Sequence, residues 1–129
     1  MVGNPMAIEL HHTSVVVADT ARSLDFYTGI LGLAVEPARP DLGYPGAWLW
    51  VGDRQIHLLE LPNPDPTEGR PAHGGRDRHV ALLVDELSVY TSRLDAAAIP
   101  YTMSKSGRRA LFCRDPDGNA CELIERPKQ

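Results

Sequence analysis

The sequence predicts an α+β chain of two tandem βαβββ modules. The stretch "HTSVVVADTARSLDFY" from His12 and the stretch "HVALLVDELSVYTSRL" from His79 follow one plan, in which a His opens an apolar run, an acidic residue (Asp19 or Glu86) stands seven positions later, and a helix-like stretch comes next. His12 and His79 are 67 positions apart, and so are Asp19 and Glu86. After each helical stretch come three short apolar runs divided by turn residues, which are the remaining strands.

Module one begins with "TSVVV", a β-branched run that puts His12, Ser14 and Val16 on one strand face and Thr13, Val15 and Val17 on the other. Asp19 or Thr20 is a good N-cap for the helix that follows, and Leu24, Tyr27, Ile30 and Leu31 recur at helical spacing until Gly32 ends it. A short apolar segment at Leu33 to Val35 precedes the loop "PARPDLGYPG". The runs "AWLWV" and "QIHLLEL" then form a hairpin whose tight turn is Gly52 and Asp53.

Module two repeats the order. A strand is expected near Arg78 to Val84, a helix near Glu86 to Ala97, and strands around Tyr101 to Ser104, Ala110 to Arg114 and Asn119 to Glu125. Ala98 and Pro100 stand where a glycine stop would be expected, and the proline ends the helix. "DPDGN" at Asp115 to Asn119 is a turn, since Pro116 presets its φ and Gly118 can take a positive one. Between the modules "PNPDPTEGRPAHGGRD" is rich in Pro and Gly and has no periodicity, so it reads as a linker long enough to serve also as a lid. The expected division of one domain, 1–129, is module one 7–61, linker 62–77 and module two 78–126.

With 129 residues, 43% apolar and 23% charged, the chain can bury a real core without disulfide staples. A net charge of −4 with scattered Lys and Arg argues against nucleic acid as a partner and leaves a small organic substrate. The start "MVGNPMAIEL" lacks the features of a secretion leader, and no apolar run reaches the roughly 18 residues of a membrane helix. The expected location is the cytoplasm, with Cys113 and Cys121 as reduced, strand-borne thiols.

His12, His57, His79 and Glu122 form the candidate metal site. His12 and His79 open the first strand of each module; His57 and Glu122 lie in the last strands, 65 positions apart, so this pair also nearly obeys the repeat. Three imidazoles and a carboxylate suit a divalent ion such as Zn, Ni, Mn, Fe or Co. If the modules curl into half-barrels about a pseudo-twofold axis, the four side chains can converge on one centre. His11, on the opposite face from His12, and His73, in the linker, lack the repeat's support and read as ordinary exposed residues.

At these residues the chain resembles the vicinal oxygen chelate superfamily, the glyoxalase, bleomycin-resistance and extradiol dioxygenase group. The stretches "HHTSVVVADTARSLDFYTGILGL", "RDRHVALLVDEL" and "RALFCRDPDGNACELIE" carry the resemblance, which with the connecting strands covers nearly the whole chain. It implies a cup-like half-barrel of two paired modules around a metal, with ligands from the first and last strands: His12, His57, His79 and Glu122. It also implies a homodimer, and whether the paired modules come from one chain or from two stays open.

Four protein ligands on a six-coordinate ion leave two adjacent positions, which a substrate with vicinal oxygens can fill. That favours a lyase or isomerase of glyoxalase type, with Glu122 as both ligand and proton carrier and Glu60 as a weaker candidate base. Alternatives are an extradiol dioxygenase, favoured if His57 does not bind, and a non-catalytic antibiotic-binding protein. A fosfomycin-type resistance enzyme is a third, suggested by "SKSGRRALF" with Lys105 and Ser106 and opposed by Phe112, where a Tyr hydroxyl is expected. Trp48 and Trp50 read as core or cup-wall residues, Ser14 as a cup-lining residue, and Arg108 and Arg109 as a solvated pair able to meet an anionic group.

Overall fold

A computed structural model describes residues 7–128. Residues 1–6, part of the chain start read above, and residue 129 lie outside the described residues. The strands are β1 His12–Val17, β2 Ala34–Val35, β3 Gly46–Val51, β4 Arg54–Glu60, β5 His79–Val84, β6 Tyr101–Met103, β7 Ala110–Arg114 and β8 Ala120–Glu125. Helix α1 covers Thr20–Leu24 and runs on as a π turn, Asp25–Ile30; α2 covers Leu87–Ala96.

The strands form two separate four-stranded sheets, ordered β1-β4-β3-β2 and β5-β8-β7-β6. In each, the first and last strands of the module pair in parallel, β1 with β4 and β5 with β8, and the other pairs are antiparallel. The repeat seen in the sequence is thus a repeat of topology. Both sheets are open, and each keeps one face for packing and one for the cup.

The packing face is built by alternation. Val17, Leu49, Ile56 and Leu58 from the first sheet and Val84, Leu111, Cys113, Cys121 and Leu123 from the second are all buried. They join Phe26, Tyr27, Ile30, Leu87 and Leu94 from the helical segments in one core that spans both modules. Cys113 and Cys121 are free, buried and directly opposite each other on β7 and β8. Burial pushes the Cys113 thiol up to about 12 and Cys121 well above its usual value, which keeps both protonated.

The first helix departs from the expected α-helix. Asp19 caps it through Oδ1, which accepts Arg22 N–H at 3.2 Å. From Asp25 the pattern widens: Leu31 N–H reaches back five residues to Phe26 O at 3.0 Å, and Thr28 Oγ1 donates to Leu24 O at 2.6 Å. The wider turn buries Phe26, Tyr27 and Ile30 together, with Tyr27 OH donating to the buried Asp115 carboxylate at 2.8 Å. That tertiary bond is a reason for the π turn which helical spacing alone does not reveal.

Gly32 (φ 74°) follows this helix in the left-handed conformation, and Ala98 (φ 55°) does the same after α2. The hairpin turn at Gly52 and Asp53 joins β3 to β4 with Val51 opposite Arg54. In the β7–β8 turn, Asp115 Oδ1 accepts the N–H groups of Asp117 and Asn119, each at 2.9 Å, and Gly118 has φ 84°. No described helix is long and apolar enough to cross a membrane.

Candidate metal centre

Strand register puts the four candidate ligands on the cup faces. Ser14 and Trp48 both pair with His57, while Phe112 and Ala81 both pair with Glu122, so each set shares one face with its candidate ligand. His12 shares the face of Ser14, and His79 that of Ala81. The structure brings the four together in two pairs, one on each sheet. Among the described residues no group of three or more His, Cys, Asp or Glu side chains is placed to share one cation.

The pair in module two is in contact, with each partner held by a further bond. His79 Nδ1 lies 2.8 Å from Asp77 O, and since a carbonyl only accepts, Nδ1 carries the proton. The other ring nitrogen, Nε2, faces Glu122 Oε1 at 3.4 Å. Two donors each about 2.1 Å from one ion lie about 3.0 Å apart at a right angle and about 3.4 Å apart at the tetrahedral angle. The observed separation is one that two ligands of a shared divalent ion could have, and the Asp77 carbonyl would then be the outer partner that orients His79. Glu122 is 3% exposed, and its second oxygen, Oε2, accepts Arg108 Nη2 at 3.1 Å.

The pair in module one is stacked. His57 lies between His12, ring centroids 4.0 Å apart at 17°, and Trp48, 4.4 Å away at 9°. His57 Nε2 donates to Gln55 Oε1 at 2.8 Å, leaving Nδ1 with the lone pair. Burial, with smaller contributions from His12, His11 and Arg39, holds the His57 imidazole below its usual range, so the ring is neutral at neutral pH. Lone pairs lie in the ring plane, so those of two nearly parallel rings run side by side rather than converge. One ring has to turn before both reach a single ion.

Neighbouring residues sharpen the picture. His11 is exposed as expected, and its Nδ1 lies 2.9 Å from that of His12, so one of the two carries the proton. His73 corrects the expectation of an exposed linker residue: it is half-buried, its Nδ1 bonds Thr102 Oγ1 at 2.7 Å, and its ring meets Phe112 edge-on at 4.9 Å. The short 3-10 turn Gly74–Arg76 seats the linker there, since a Cβ on Gly74 would stand 3.1 Å from that of Phe112. Asp77 anchors the same segment through Arg70 at 3.1 Å and Arg114 at 2.8 Å.

Trp50 is 37% exposed on the cup face, whereas Glu60 lies on the other face and accepts Thr20 N–H at 2.8 Å, which makes it a helix cap. Arg109 is tied to Glu125 at 2.7 Å. A cleft of about 730 Å3 between the first helix and β6–β7 contains none of the four candidate ligands.

The family model of the Glyoxalase/Bleomycin resistance protein/Dioxygenase superfamily matches residues 9–123. The chain is 31% identical to a protein of Arabidopsis thaliana named Glyoxylase I 4, over 94% of this chain and 73% of that one. It is also 31% identical to the lactoylglutathione lyase of Escherichia coli O157:H7, over 92% of this chain and 93% of that one. A fosfomycin resistance protein of Listeria monocytogenes, solved with Mn(II) and 1S,2S-dihydroxypropylphosphonic acid, superposes with TM-score 0.73 at 18% identity, over 95% of each chain, and shares the fold.

Proposed function

The chain belongs to the Glyoxalase/Bleomycin resistance protein/Dioxygenase superfamily, and from that premise we propose that it is a divalent-metal-dependent lyase or isomerase of glyoxalase type. Its substrate is a small molecule that presents two vicinal oxygens. The observation that carries this reading is the His79–Glu122 pair: a ring nitrogen and a carboxylate oxygen 3.4 Å apart, with the other ring nitrogen committed to Asp77 O.

The site is completed by a second copy of the chain. His12 and His57 belong to one sheet, His79 and Glu122 to the other, and the open cup faces carry Trp50 at 37% and Leu83 at 56% exposure. In an isologous homodimer the module-one cup of each chain faces the module-two cup of its partner. That brings four ligands to each of two centres and covers the apolar side chains.

A divalent ion held there supplies Lewis-acid stabilisation of the oxyanion charge that develops on the substrate. Glu122 would be the proton carrier: its buried carboxylate would take the proton from the hydroxyl-bearing carbon next to the substrate carbonyl and return it to the former carbonyl carbon, while the hydroxyl proton passes to the oxygen of that carbon. Trp48 holds the His57 ring in place by stacking and forms an apolar wall for the substrate with Trp50. His73 and Phe112 close the cup beside Glu122, where they limit access of water.

Metal analysis of the purified protein, together with lactoylglutathione turnover, tests the reading. The expected result is about one divalent ion per chain, by the reasoning that a set of four ligands binds tightly, and activity that chelation removes and added metal restores. Protein that takes up no divalent ion would overturn it. His57→Ala separates the chemistries: a three-ligand site that gains oxygen consumption with a catechol would move the assignment to a dioxygenase.

A further inference from the structure

Arg108 and Arg109 are adjacent, and each meets a buried carboxylate of β8, but on opposite faces of that strand. Arg109, 73% exposed, is tied to Glu125 at 2.7 Å, away from the candidate ligands. Arg108 lies in the bend just before β7, and one of its nitrogens reaches Glu122 Oε2 at 3.1 Å, which puts its guanidinium beside the cup-side carboxylate. Its side chain is 58% exposed against 3% for Glu122, and no other bond from the guanidinium of Arg108 to protein is seen among the described residues. Four of its five N–H donors are thus left without a protein partner among the described residues.

The loop that carries Arg108 is stitched into shape. Ser104 Oγ accepts Ser106 N–H at 3.1 Å, Ser106 Oγ accepts Arg108 N–H at 3.3 Å, the two hydroxyls bond each other at 2.8 Å, and Gly107 turns the chain at φ 89°. A guanidinium is thereby aimed at the outer oxygen of the carboxylate whose inner oxygen faces His79. Any cation shared by His79 and Glu122 would sit a few ångströms from this fixed positive charge, and the two repel. An arriving anion relieves that repulsion and accepts the guanidinium fork in two parallel bonds.

We infer that Arg108 is the substrate-recognition residue of the site, selecting a carboxylate-bearing substrate. Its guanidinium, which meets Glu122 Oε2 here, swings onto the substrate carboxylate when cation and substrate bind. This rests on the metal-dependent reading above and adds to it the class of substrate and a competition at Glu122.

The test uses the full-length protein, with Zn2+ affinity measured by competition against a chromophoric chelator in wild type, Arg108→Gln and Arg108→Lys. Arg108→Gln removes the repelling charge and is expected to bind Zn2+ about fivefold more tightly, while Arg108→Lys stays near wild type. The Zn2+-loaded proteins are then titrated with hydroxyacetone and hydroxypyruvate, which share an α-hydroxyketone and differ in one carboxylate. Wild type is expected to favour hydroxypyruvate by about tenfold or more, and Arg108→Gln to lose that preference. Equal Zn2+ affinity in wild type and Arg108→Gln, or a preference that survives in Arg108→Gln, overturns the role of Arg108 and leaves the metal site standing. Failure of wild type to bind Zn2+ overturns both.

Discussion

The carboxylate of Glu60, in the last strand of module one, accepts the first helical N–H of that module, Thr20 N, at 2.8 Å. Glu125 does the same for Leu87 N at 2.9 Å in module two. Thr20 and Leu87 are 67 positions apart and Glu60 and Glu125 are 65, the same offsets that relate the candidate metal ligands. Each last strand therefore carries two functions on its two faces: a candidate ligand towards the cup, and three residues later a carboxylate that satisfies an orphan N–H and favours the positive end of the helix. The backbone bond from Leu87, followed by Arg109, holds the Glu125 carboxyl below its usual range.

Removing the cap in module one separates these functions. Glu60→Ala is expected to cost about 1 kcal/mol of stability, as loss of an N-terminal cap does, while Glu60→Gln keeps an acceptor oxygen and most of the stability. Thermal unfolding reads the difference, and hydrogen exchange at the Thr20 amide should accelerate in the alanine variant alone. Metal content should not change in either, because Glu60 lies on the face away from His57.

Ala98 takes the position that glycine fills after the first helix, at φ 55° against 74° for Gly32. A side chain in the left-handed region costs about 1 kcal/mol, and Ala98 is exposed, so no packing is lost on its removal. Ala98→Gly is expected to raise stability by somewhat under 1 kcal/mol, because the greater freedom of glycine in the unfolded chain offsets part of the gain. Denaturant unfolding checks it: the midpoint rises with the slope unchanged.

Asp77 ties the linker to module two through Arg70 and Arg114, with side-chain exposures of 10%, 15% and 24%. Asp77→Asn takes the charged partner from Arg70, while Arg114 keeps the carbonyls of Gly118 and Pro71, and is expected to cost about 2 kcal/mol. The bond from Arg114 is the largest cause of a carboxyl held below its ordinary 3.8. A depressed value in the folded state means that the unfolded chain binds the proton first. Its contribution is present above the ordinary value and is lost as pH falls through about 4 towards the folded one. Unfolding free energy measured from pH 7 to pH 3 should therefore fall less steeply in Asp77→Asn than in wild type.

Much of this architecture was legible because the repeat acts on local pattern. Alternation in "TSVVV" and "QIHLLEL" placed Ser14 and His57 on their faces, and the 67-residue offset identified the two first strands. What the sequence concealed depends on contacts between distant residues. The π turn answers to Tyr27 meeting Asp115, His73 is drawn in by Thr102 and Phe112, and Arg108 is set apart from Arg109 only by which carboxylate of β8 each one meets. The repeat also relates equivalent positions without saying which lie close, so His12 with His57 and His79 with Glu122 emerged as pairs only from the sheets.

That pairing makes the two-chain site testable by complementation. In the proposed homodimer, His79→Ala removes a ligand from both centres, and so does His12→Ala, so each variant alone should lose most of its metal and activity. Mixing the two variants by co-expression gives heterodimers in which one centre combines an intact His12 and His57 from the first chain with an intact His79 and Glu122 from the second. The other centre then lacks both His. With random assortment half of the dimers are mixed and each has one good centre of two, so metal content and turnover should return to about a quarter of wild type. A centre built within one chain allows no such rescue, because every chain in the mixture lacks one of its own ligands. Recovery near a quarter supports ligands shared between chains, and none places all four in one.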